Sequence, residues 1–316
     1  MAANDDLQHA RTVALLRALA PQEGYTLTAL PGVRLLRSDR ALARTPVLYD
    51  PGIVIVCQGI KRGFLGEQVY QYDAQHYLAV SVPVPFTMET LATAEQPLLA
   101  IYLHLDFALA AEVMLAIGDA PSGARSGDDA AQSMMASPMD APMRDAVQRL
   151  LETLGDPLEA AVLGSARLRE LYFRVLTGAQ GDALREALAM RGQFGRIGRA
   201  LRYIHTHYAQ PLDLALLAAE AGMSVPSFHG HFKAVTRTSP MQYVKSTRLH
   251  QARLLMVREG HAAEAASHAV GYASASQFSR EFKRLFGRSP RAEAQRLRSS
   301  FAVPPAFADA VFVSSH

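Results

Sequence analysis

A pair of phenylalanines occurs twice in this sequence, and polar and basic residues surround both copies. The types and spacing of these residues suit them to binding other molecules through hydrogen bonds and charge. Phe228 and Phe232 reappear fifty residues later as Phe278 and Phe282. Phenylalanines four residues apart lie on one helix face, so their neighbours point away from the core. That outward face carries hydrogen-bonding and cationic groups suited to base edges and phosphates. Its members are Ser227, His229 and Lys233 in the first copy, and Ser276, Gln277, Ser279, Arg280 and Lys283 in the second.

The first copy has the sequence signals of two short helices joined by a tight turn. Asp213 is a predicted N-cap, because its carboxylate can accept from free backbone N–H groups. Gly222 should end this helix in a left-handed conformation, and Ser224 should cap the next one. The pattern predicts a helix-turn-helix motif at about 213–236.

The second copy repeats these signals. Gly271 occupies the turn, and Ser274 with Gln277 fits the reciprocal capping-box pattern. A second helix-turn-helix motif is therefore predicted at about 262–286.

Between the motifs, a helix from Pro240 to about Arg258 should form a strut of roughly 27 Å. It would hold the second helices of the two motifs, which we call the reading helices, about one DNA turn apart on one face of the duplex.

Charge is divided unequally along the chain. The net charge is +3, but residues 191–300 hold 17 Lys and Arg against 6 Asp and Glu, whereas residues 1–190 hold 15 against 22. A basic C-terminal half joined to an acidic half is typical of a polyanion-binding domain with a separate regulatory domain. With 316 residues and 49% apolar composition, the chain can bury two cores.

Several segments of the C-terminal half form a recognisable set: LALLAAEAGMS (214–224), FHGHFK (228–233), SPMQY (239–243), Arg248-Leu249, Ala252-Arg253 and VGYASASQFSREFKRLFGRSP (270–290). With them, the stretch from about 197 to 296 resembles the DNA-binding domain of AraC/XylS-type bacterial transcription regulators. The N-terminal half has a second set: Tyr49-Asp50-Pro51, Gln58 to Lys61, Tyr77 to Ser81 and Leu103 to Asp106. Through these segments, residues 21–106 resemble, less sharply, the cupin-like sensory domain of one branch of that family.

The outward residues divide into predicted base readers and predicted phosphate contacts. Arg280 suits guanine, Gln277 suits adenine, and Ser227, His229, Ser276 and Ser279 offer shorter contacts. The predicted phosphate contacts are Lys233, Arg237, Lys245 and Lys283. Gly230 stands where related regulators carry a long or basic side chain, so the first motif either reads fewer bases or relies more on His229 and Ser227.

The N-terminal half changes from helical spacing to short apolar runs. A helix is predicted over 1–20, followed by a cupin-like β-barrel or meander over 21–117. A barrel of this size can hold one small ligand. The candidate effector contacts are Cys57, His76 and His104. Because no closely spaced histidine pair is present, no metal or other cofactor is predicted, and an inert buried thiol is favoured over a sensor at Cys57.

The remaining segments complete a two-domain α+β organisation with an all-α C-terminal domain. Residues 118–140 are predicted as a loop, 141–195 as a helical linker that either pairs between chains or packs on the barrel, 196–298 as the DNA-binding domain, and 299–316 as a tail. One cysteine, an acidic N-terminus and the lack of a long apolar run predict a cytoplasmic protein without membrane contact.

These observations predict a sequence-specific DNA-binding regulator without enzymatic activity. We expect an activator that binds double-stranded DNA, contacts RNA polymerase and responds to a small effector, with dimerisation through the helical linker. Two alternatives remain open: a cupin-like metal-dependent enzyme with a DNA-binding appendage, and a weakly specific protein that bends DNA.

Overall fold

The computed structural model describes residues 2–118, 133–189 and 192–300. The strands are β1 (Gly24–Leu27), β2 (Val33–Ser38), β3 (Leu42–Tyr49), β4 (Gly52–Gln58), β5 (Ile60–Leu65), β6 (Gln68–Tyr72), β7 (His76–Val80), β8 (Val84–Leu91), β9 (Leu98–His104) and β10 (Met134–Pro138). The helices are α1 (Ala2–Leu19), α2 (Phe107–Ile117), α3 (Ala141–Leu154), α4 (Pro157–Thr177), α5 (Gly181–Leu188), α6 (Gly192–His207), α7 (Leu214–Ala221), α8 (Val225–Thr236), α9 (Pro240–Arg258), α10 (Ala263–Ala269), α11 (Ala275–Phe286) and α12 (Pro290–Ser300).

Two antiparallel sheets form the N-terminal domain. The six-stranded sheet has the order β1-β2-β9-β4-β7-β10, and the four-stranded sheet has the order β3-β8-β5-β6. The two-domain α+β fold is confirmed, and of the predicted barrel or meander the structure has open antiparallel sheets. In the described residues the sheets stay separate and pack face to face, because no ladder joins an edge of one to an edge of the other.

The six-stranded sheet is buried on both faces. Along β9, Leu99 and Ile101 pack with the helices, whereas Ala100 and Tyr102 pack towards the four-stranded sheet. Side chains of a strand alternate between faces, so a sheet covered on both sides needs a continuous apolar run. This explains why β4 and β9 are evident in the sequence.

Two strands of the four-stranded sheet are more polar and harder to recognise in the sequence. β3 carries Arg44 and Pro46, and β5 carries Lys61, Arg62 and Gly63, which obscure the usual alternation. β10 lies inside the predicted loop 118–140. It pairs antiparallel with β7 at the sheet edge, where even a short strand gains ladder hydrogen bonds. The rest of that loop, 119–132, lies outside the described residues.

The predicted helical linker packs on the N-terminal domain. Leu171, Val175 and Leu184 share a core with Ile53 and Ile101 of the six-stranded sheet. Of the two alternatives for 141–195, packing on the β domain is therefore observed. Leu158 and Val162, one turn apart on α4, remain exposed. Dimerisation stays a prediction.

The C-terminal domain is all-helical, and α9 contributes to both of its motif cores. Tyr243 and Val244 pack with the first motif, whereas Leu249, Ala252 and Met256 pack with the second. The predicted helix 240–258 is present with the expected bounds. Among the helices in the described part of the chain, none combines the length and apolar character needed to span a membrane. The last residues of the predicted tail, 301–316, lie outside the described residues.

Candidate nucleic-acid interface

The first motif is α7 followed by α8, and its turn forms as predicted. Asp213 caps α7 by accepting from the backbone N–H of Leu216 at 2.8 Å. Gly222 ends α7 in the left-handed conformation, with φ 65° and ψ 41°. Ser224 is at the N-cap position of α8, although its side chain makes no capping hydrogen bond. Pro226 is tolerated in the first turn because the N–H groups there lack helical partners.

The second motif is α10 followed by α11. Ser274 caps α11 by accepting from the N–H of Gln277 at 3.3 Å. In the described residues only this half of the predicted capping box forms, and the NH2 group of the Gln277 side chain donates to Glu281 at 3.3 Å. Gly271 has φ 84°, and a Cβ there would lie 2.3 Å from the carbonyl oxygen of Ala209. Glycine is thus required by both the backbone conformation and this close approach.

The aromatic pairs anchor both reading helices. Phe228, Phe232, Phe278 and Phe282 are fully buried, with ring centroids 5.3 Å apart in the first pair and 5.5 Å apart in the second. Nine of the ten predicted DNA contacts are exposed on the opposite sides of these helices or just beyond them. They are Ser227, His229, Lys233, Arg237, Ser276, Gln277, Ser279, Arg280 and Lys283.

The predicted cationic contacts differ in whether they already form an ion pair within the protein. Among the described residues, Lys233, Arg280 and Lys283 form no ion pair and no side-chain hydrogen bond, so their charges remain available. Lys245, the tenth predicted contact, is half-buried and pairs with Glu281 at 3.2 Å. Its assignment as a phosphate contact stays a prediction, since this pair would have to open first.

Arg237 ends α8 in an unusual conformation. It is left-handed, with φ 58°, whereas Gly287 takes this place in the second motif. Its guanidinium lies close enough to Tyr70 of β6 to lower the pKa of that phenol, although burial, the larger effect, raises it. Arg237 is therefore exposed next to the N-terminal domain, at the end of a reading helix.

The two domains are in direct contact through α9. The Tyr243 hydroxyl donates to the carbonyl oxygen of Pro83 at 2.9 Å, and Arg253 donates to that of Pro46 at 3.2 Å. Leu254 packs against Leu48 of β3. The N-terminal domain thus contacts the helix that contributes to both motif cores.

A cleft of about 440 Å³ lies between the four-stranded sheet and the C-terminal domain. Arg44 and Phe64 form part of the sheet wall, and the Arg44 guanidinium lies 3.8 Å from the Phe64 ring centroid. Lys245 of α9 with Arg284 and Leu285 of α11 contribute to the opposite wall. Both domains thus line one space, and one of its walls is a reading helix.

The three effector candidates have different surroundings. Cys57 is buried, and burial raises its pKa to about 12, so its thiolate form is scarce at neutral pH. His76 lies 3.2 Å from Asp73 and is exposed. His104 lies 3.0 Å from the carboxylate of Asp50. The structure does not bring these three candidates together in one pocket, and their role in effector binding stays a prediction.

Sequence patterns overlooked a buried polar cluster around Asp50. Its carboxylate accepts from the Tyr102 hydroxyl at 2.7 Å and contacts His104. Burial and the charge of Arg34 lower the pKa of Arg258 on α9, and Asp50 acts against this shift. The sequence feature that could have indicated this cluster is the acidic Asp50 between two apolar strands.

Among the described residues, no group of three or more His, Cys, Asp and Glu side chains is placed to hold a metal ion.

Family models match both halves of the chain. One described as "AraC-type transcriptional regulator N-terminus" matches residues 29–183, and one described as "Helix-turn-helix domain" matches residues 217–296. The HTH-type transcriptional activator RhaS of Salmonella schwarzengrund (strain CVM19633) is 23% identical over 142 residues, covering 45% of this chain and 50% of RhaS. RhaS of Salmonella typhimurium (strain LT2) matches to the same extent. The chain spans about half the length of the curated relatives it matches.

Solved structures of similar architecture include ToxT from Vibrio cholerae. Unsaturated fatty acid-bound ToxT from strain SCE256 has a TM-score of 0.58 and 11% identity, covering 89% of this chain and 100% of ToxT. ToxT from strain O395 has a TM-score of 0.55 and 9% identity, covering 84% of this chain and 97% of ToxT. At such identities the likeness shows the fold.

Proposed function

Because the chain belongs to the AraC/XylS family of transcription regulators, we propose that it is a sequence-specific DNA-binding activator controlled by a small effector. The observation that carries this proposal is the pair of exposed polar edges on α8 and α11, each opposite a fully buried phenylalanine pair. A helix held in this way fits the major groove, which admits one α-helix and presents a distinct pattern for each base pair.

Some of these exposed side chains contact bases, and others contact phosphates. Arg280 is an exposed, unpaired guanidinium in the middle of α11, and this geometry suits bidentate contact with guanine. Gln277, Ser276, Ser279, Ser227 and His229 supply the remaining base contacts. Lys233, Lys283 and Arg237 contact phosphates and set the position of the domain without reading sequence. Lys245 joins them when its pair with Glu281 opens.

One chain would reach two successive major grooves. The 19 residues of α9 span about 28 Å at ~1.5 Å per residue. This is close to the roughly 34 Å between equivalent positions one DNA turn apart. A single chain then needs a binding site with two unequal parts, because α8 and α11 present different side chains.

The N-terminal domain would bias DNA binding through its contact with α9. The two domains can be arranged in more than one way relative to each other, and an effector that binds the N-terminal domain better in one arrangement increases the population of that arrangement. This change in population alters the affinity of the protein for DNA or for RNA polymerase. ToxT has been crystallised with an unsaturated fatty acid bound. We take from this precedent that a small organic molecule is the class of effector to test, and we place its action in the cytoplasm, where the DNA is.

The proposal is tested by selecting fragments of genomic DNA with the purified full-length chain and sequencing those retained. We expect enrichment of one asymmetric motif whose two parts are centred about 10–10.5 base pairs apart. Titration of the recovered site against a shuffled duplex of equal length, at several salt concentrations, then gives the specificity ratio. Uniform retention of all fragments would instead favour the DNA-bending alternative. Turnover of a substrate with a stoichiometric metal would favour the enzyme.

A further inference from the structure

Lysine is rare in this chain, and its distribution is uneven. All basic residues before Lys233 are arginines, with the single exception of Lys61. The other three lysines, Lys233, Lys245 and Lys283, belong to the DNA-binding domain. Arginine stays protonated in proteins, whereas a buried lysine can lose its proton near neutral pH. The one lysine of the N-terminal domain therefore offers a chemistry that its arginines lack.

Lys61 lies inside the N-terminal domain. The residue is on β5, is 1% exposed and points between the two sheets. Its Nζ is 3.4 Å from the Tyr49 hydroxyl and 3.3 Å from the sulfur of Met88. Across the described ranges of the chain, no carboxylate forms an ion pair with it. The amine is thus surrounded by hydroxyl groups, sulfur and aromatic rings.

The strands on either side of β5 place two more hydroxyls beside Lys61. The register pairs Lys61 with Tyr72 on β6 and with Thr90 on β8. Both residues are buried. The Tyr72 hydroxyl interacts with that of Tyr49, whereas the Thr90 hydroxyl has no hydrogen-bond partner among the described residues. Buried polar groups without partners are rare and usually have a functional explanation. This group of residues, the Lys61 cluster, comprises Lys61, Tyr49, Tyr72, Met88 and Thr90.

Stability alone does not account for a lysine at this position. Burial lowers the pKa of Lys61 to about 7, so the neutral form of the amine is accessible near neutral pH. A methionine would fill a similar volume without this desolvation cost. A desolvated, partly neutral lysine is the form that enzymes and receptors use to attack carbonyl groups.

We propose that Lys61 captures a small aliphatic aldehyde as a reversible Schiff base, and that this adduct is the signal the N-terminal domain senses. The inference deepens the proposed regulatory function and rests on it. The free hydroxyl of Thr90 and the hydroxyl of Tyr72 would orient the carbonyl oxygen, and the apolar surroundings would hold the alkyl chain. Lys61 and Thr90, which face each other in the sheet register, lie near the start of β5 and the end of β8.

The condensation balances without an oxidant or reductant. The neutral amine adds to the carbonyl carbon, forming the C–N bond of a carbinolamine. The C–O bond then breaks, and the oxygen leaves as water with its own hydrogen and one from nitrogen. The product is the imine R–CH=N–Lys61. Hydrolysis reverses both steps, as a sensor requires.

An adduct would be placed to affect the DNA-binding domain. Tyr49 ends β3 and Met88 lies on β8. β3 also carries Pro46, and Pro83 directly precedes β8; their carbonyl oxygens accept from α9. Displacement of Tyr49 or Met88 by an alkyl chain therefore acts on the two strands that contact α9.

The experiment exposes the full-length chain to butanal and sodium cyanoborohydride at pH 7 and measures N-butylation at each lysine by peptide mass spectrometry. Lys233 and Lys283 are exposed internal controls. An amine in contact with water is mostly protonated at pH 7, and only a neutral amine adds to a carbonyl, so we expect at least about tenfold more labelling at Lys61 than at these two controls. Labelling of the exposed lysines with none at Lys61 would overturn the proposal.

Three controls make the result specific. Lys61→Met should abolish the labelling of this peptide and any effect of butanal on binding to a selected DNA site. Tyr72→Phe, which removes one orienting hydroxyl, should slow labelling while Lys61 remains buried. Butyrate cannot condense with an amine, and an equal effect of butyrate on DNA binding would overturn the covalent step. Because DNA selection is done without aldehyde, failure of labelling leaves that test of the proposed function intact.

Discussion

The hydroxyl of Tyr243, on the helix between the two DNA-binding motifs, donates a 2.9 Å hydrogen bond to the carbonyl oxygen of Pro83 in the N-terminal domain. A carbonyl oxygen can only accept, so the Tyr243 hydrogen points to Pro83. The Tyr243 oxygen then accepts from Nε2 of His205, 2.8 Å away. Burial lowers the pKa of His205 to about 3, so the ring is neutral with its hydrogen on Nε2. Three residues from two domains thus share one directed chain of hydrogen bonds.

Tyr243→Phe should lower the free energy of unfolding by about 1–3 kcal/mol, because it deprives the buried Pro83 carbonyl of its donor while the ring still packs on Phe232. Urea denaturation followed by circular dichroism measures this loss. Tyr70→Phe is the matched control, since its hydroxyl donates to the exposed side chain of Gln68 and not to a backbone group of the other domain, and we expect a change within about 0.5 kcal/mol. Equal losses in both variants would contradict a role for the interdomain bond.

Two glycines of the DNA-binding domain should respond to alanine in opposite directions. At Gly271 the left-handed backbone costs about 1–2 kcal/mol, and the new Cβ would meet the Ala209 carbonyl oxygen at 2.3 Å. Gly230 lies within α8, with nothing within 4 Å of an added Cβ. Gly230→Ala should therefore stabilise the protein by about 0.5–1 kcal/mol, whereas Gly271→Ala should destabilise it by more than about 2 kcal/mol.

Thermal unfolding of both variants in parallel shows whether each substitution raises or lowers the stability of the protein. A gain in stability at Gly271 would show that the turn adopts a different backbone from the one described. A loss at Gly230 would show that the surroundings of α8 at this position are more crowded than those described.

The helical half of the fold followed from the sequence because its signals are local. Asp213, Gly222 and Ser274 act within one helical turn, and the Phe pairs fix the buried face. The N-terminal half was less predictable. The strand β5 contains Lys61 and Arg62, and burial of Lys61 depends on neighbours brought together only by sheet pairing. Asp50 was overlooked for the same reason, since Tyr102 and His104 are distant in sequence.

Arg280→Ala should lower discrimination at one base pair by about 1–3 kcal/mol, because it removes the bidentate contact that we propose with guanine. Lys283→Ala, three residues away on the same exposed helix, should weaken all sequences alike and reduce the salt dependence of binding. Fluorescence anisotropy titrations with the selected site, its single-base variants and a shuffled duplex separate the two effects. Equal losses on cognate and shuffled DNA for both variants would refute this division of roles.

The stability of the protein should depend on pH through Lys61. Burial lowers the pKa of this amine from 10.5 to about 7 in the folded state, so between these values the unfolded chain binds more protons than the folded chain. The free energy of unfolding should therefore rise with pH in this window, by up to about 1.4 kcal/mol per pH unit. Below about pH 7 both states are protonated, and the full penalty of burying the charge applies.

Lys61→Met removes this dependence and should be more stable than the natural chain at pH 7, with the difference shrinking by pH 9. Urea denaturation at pH 7, 8 and 9 measures it. Higher pH is avoided because burial raises the pKa of Cys57 to about 12, so that its ionisation in the unfolded chain, from about pH 9, acts with the opposite sign. Parallel pH profiles for the two proteins would mean that Lys61 is solvated or paired with an acid in solution. The amine would then lack the neutral form on which carbonyl capture depends.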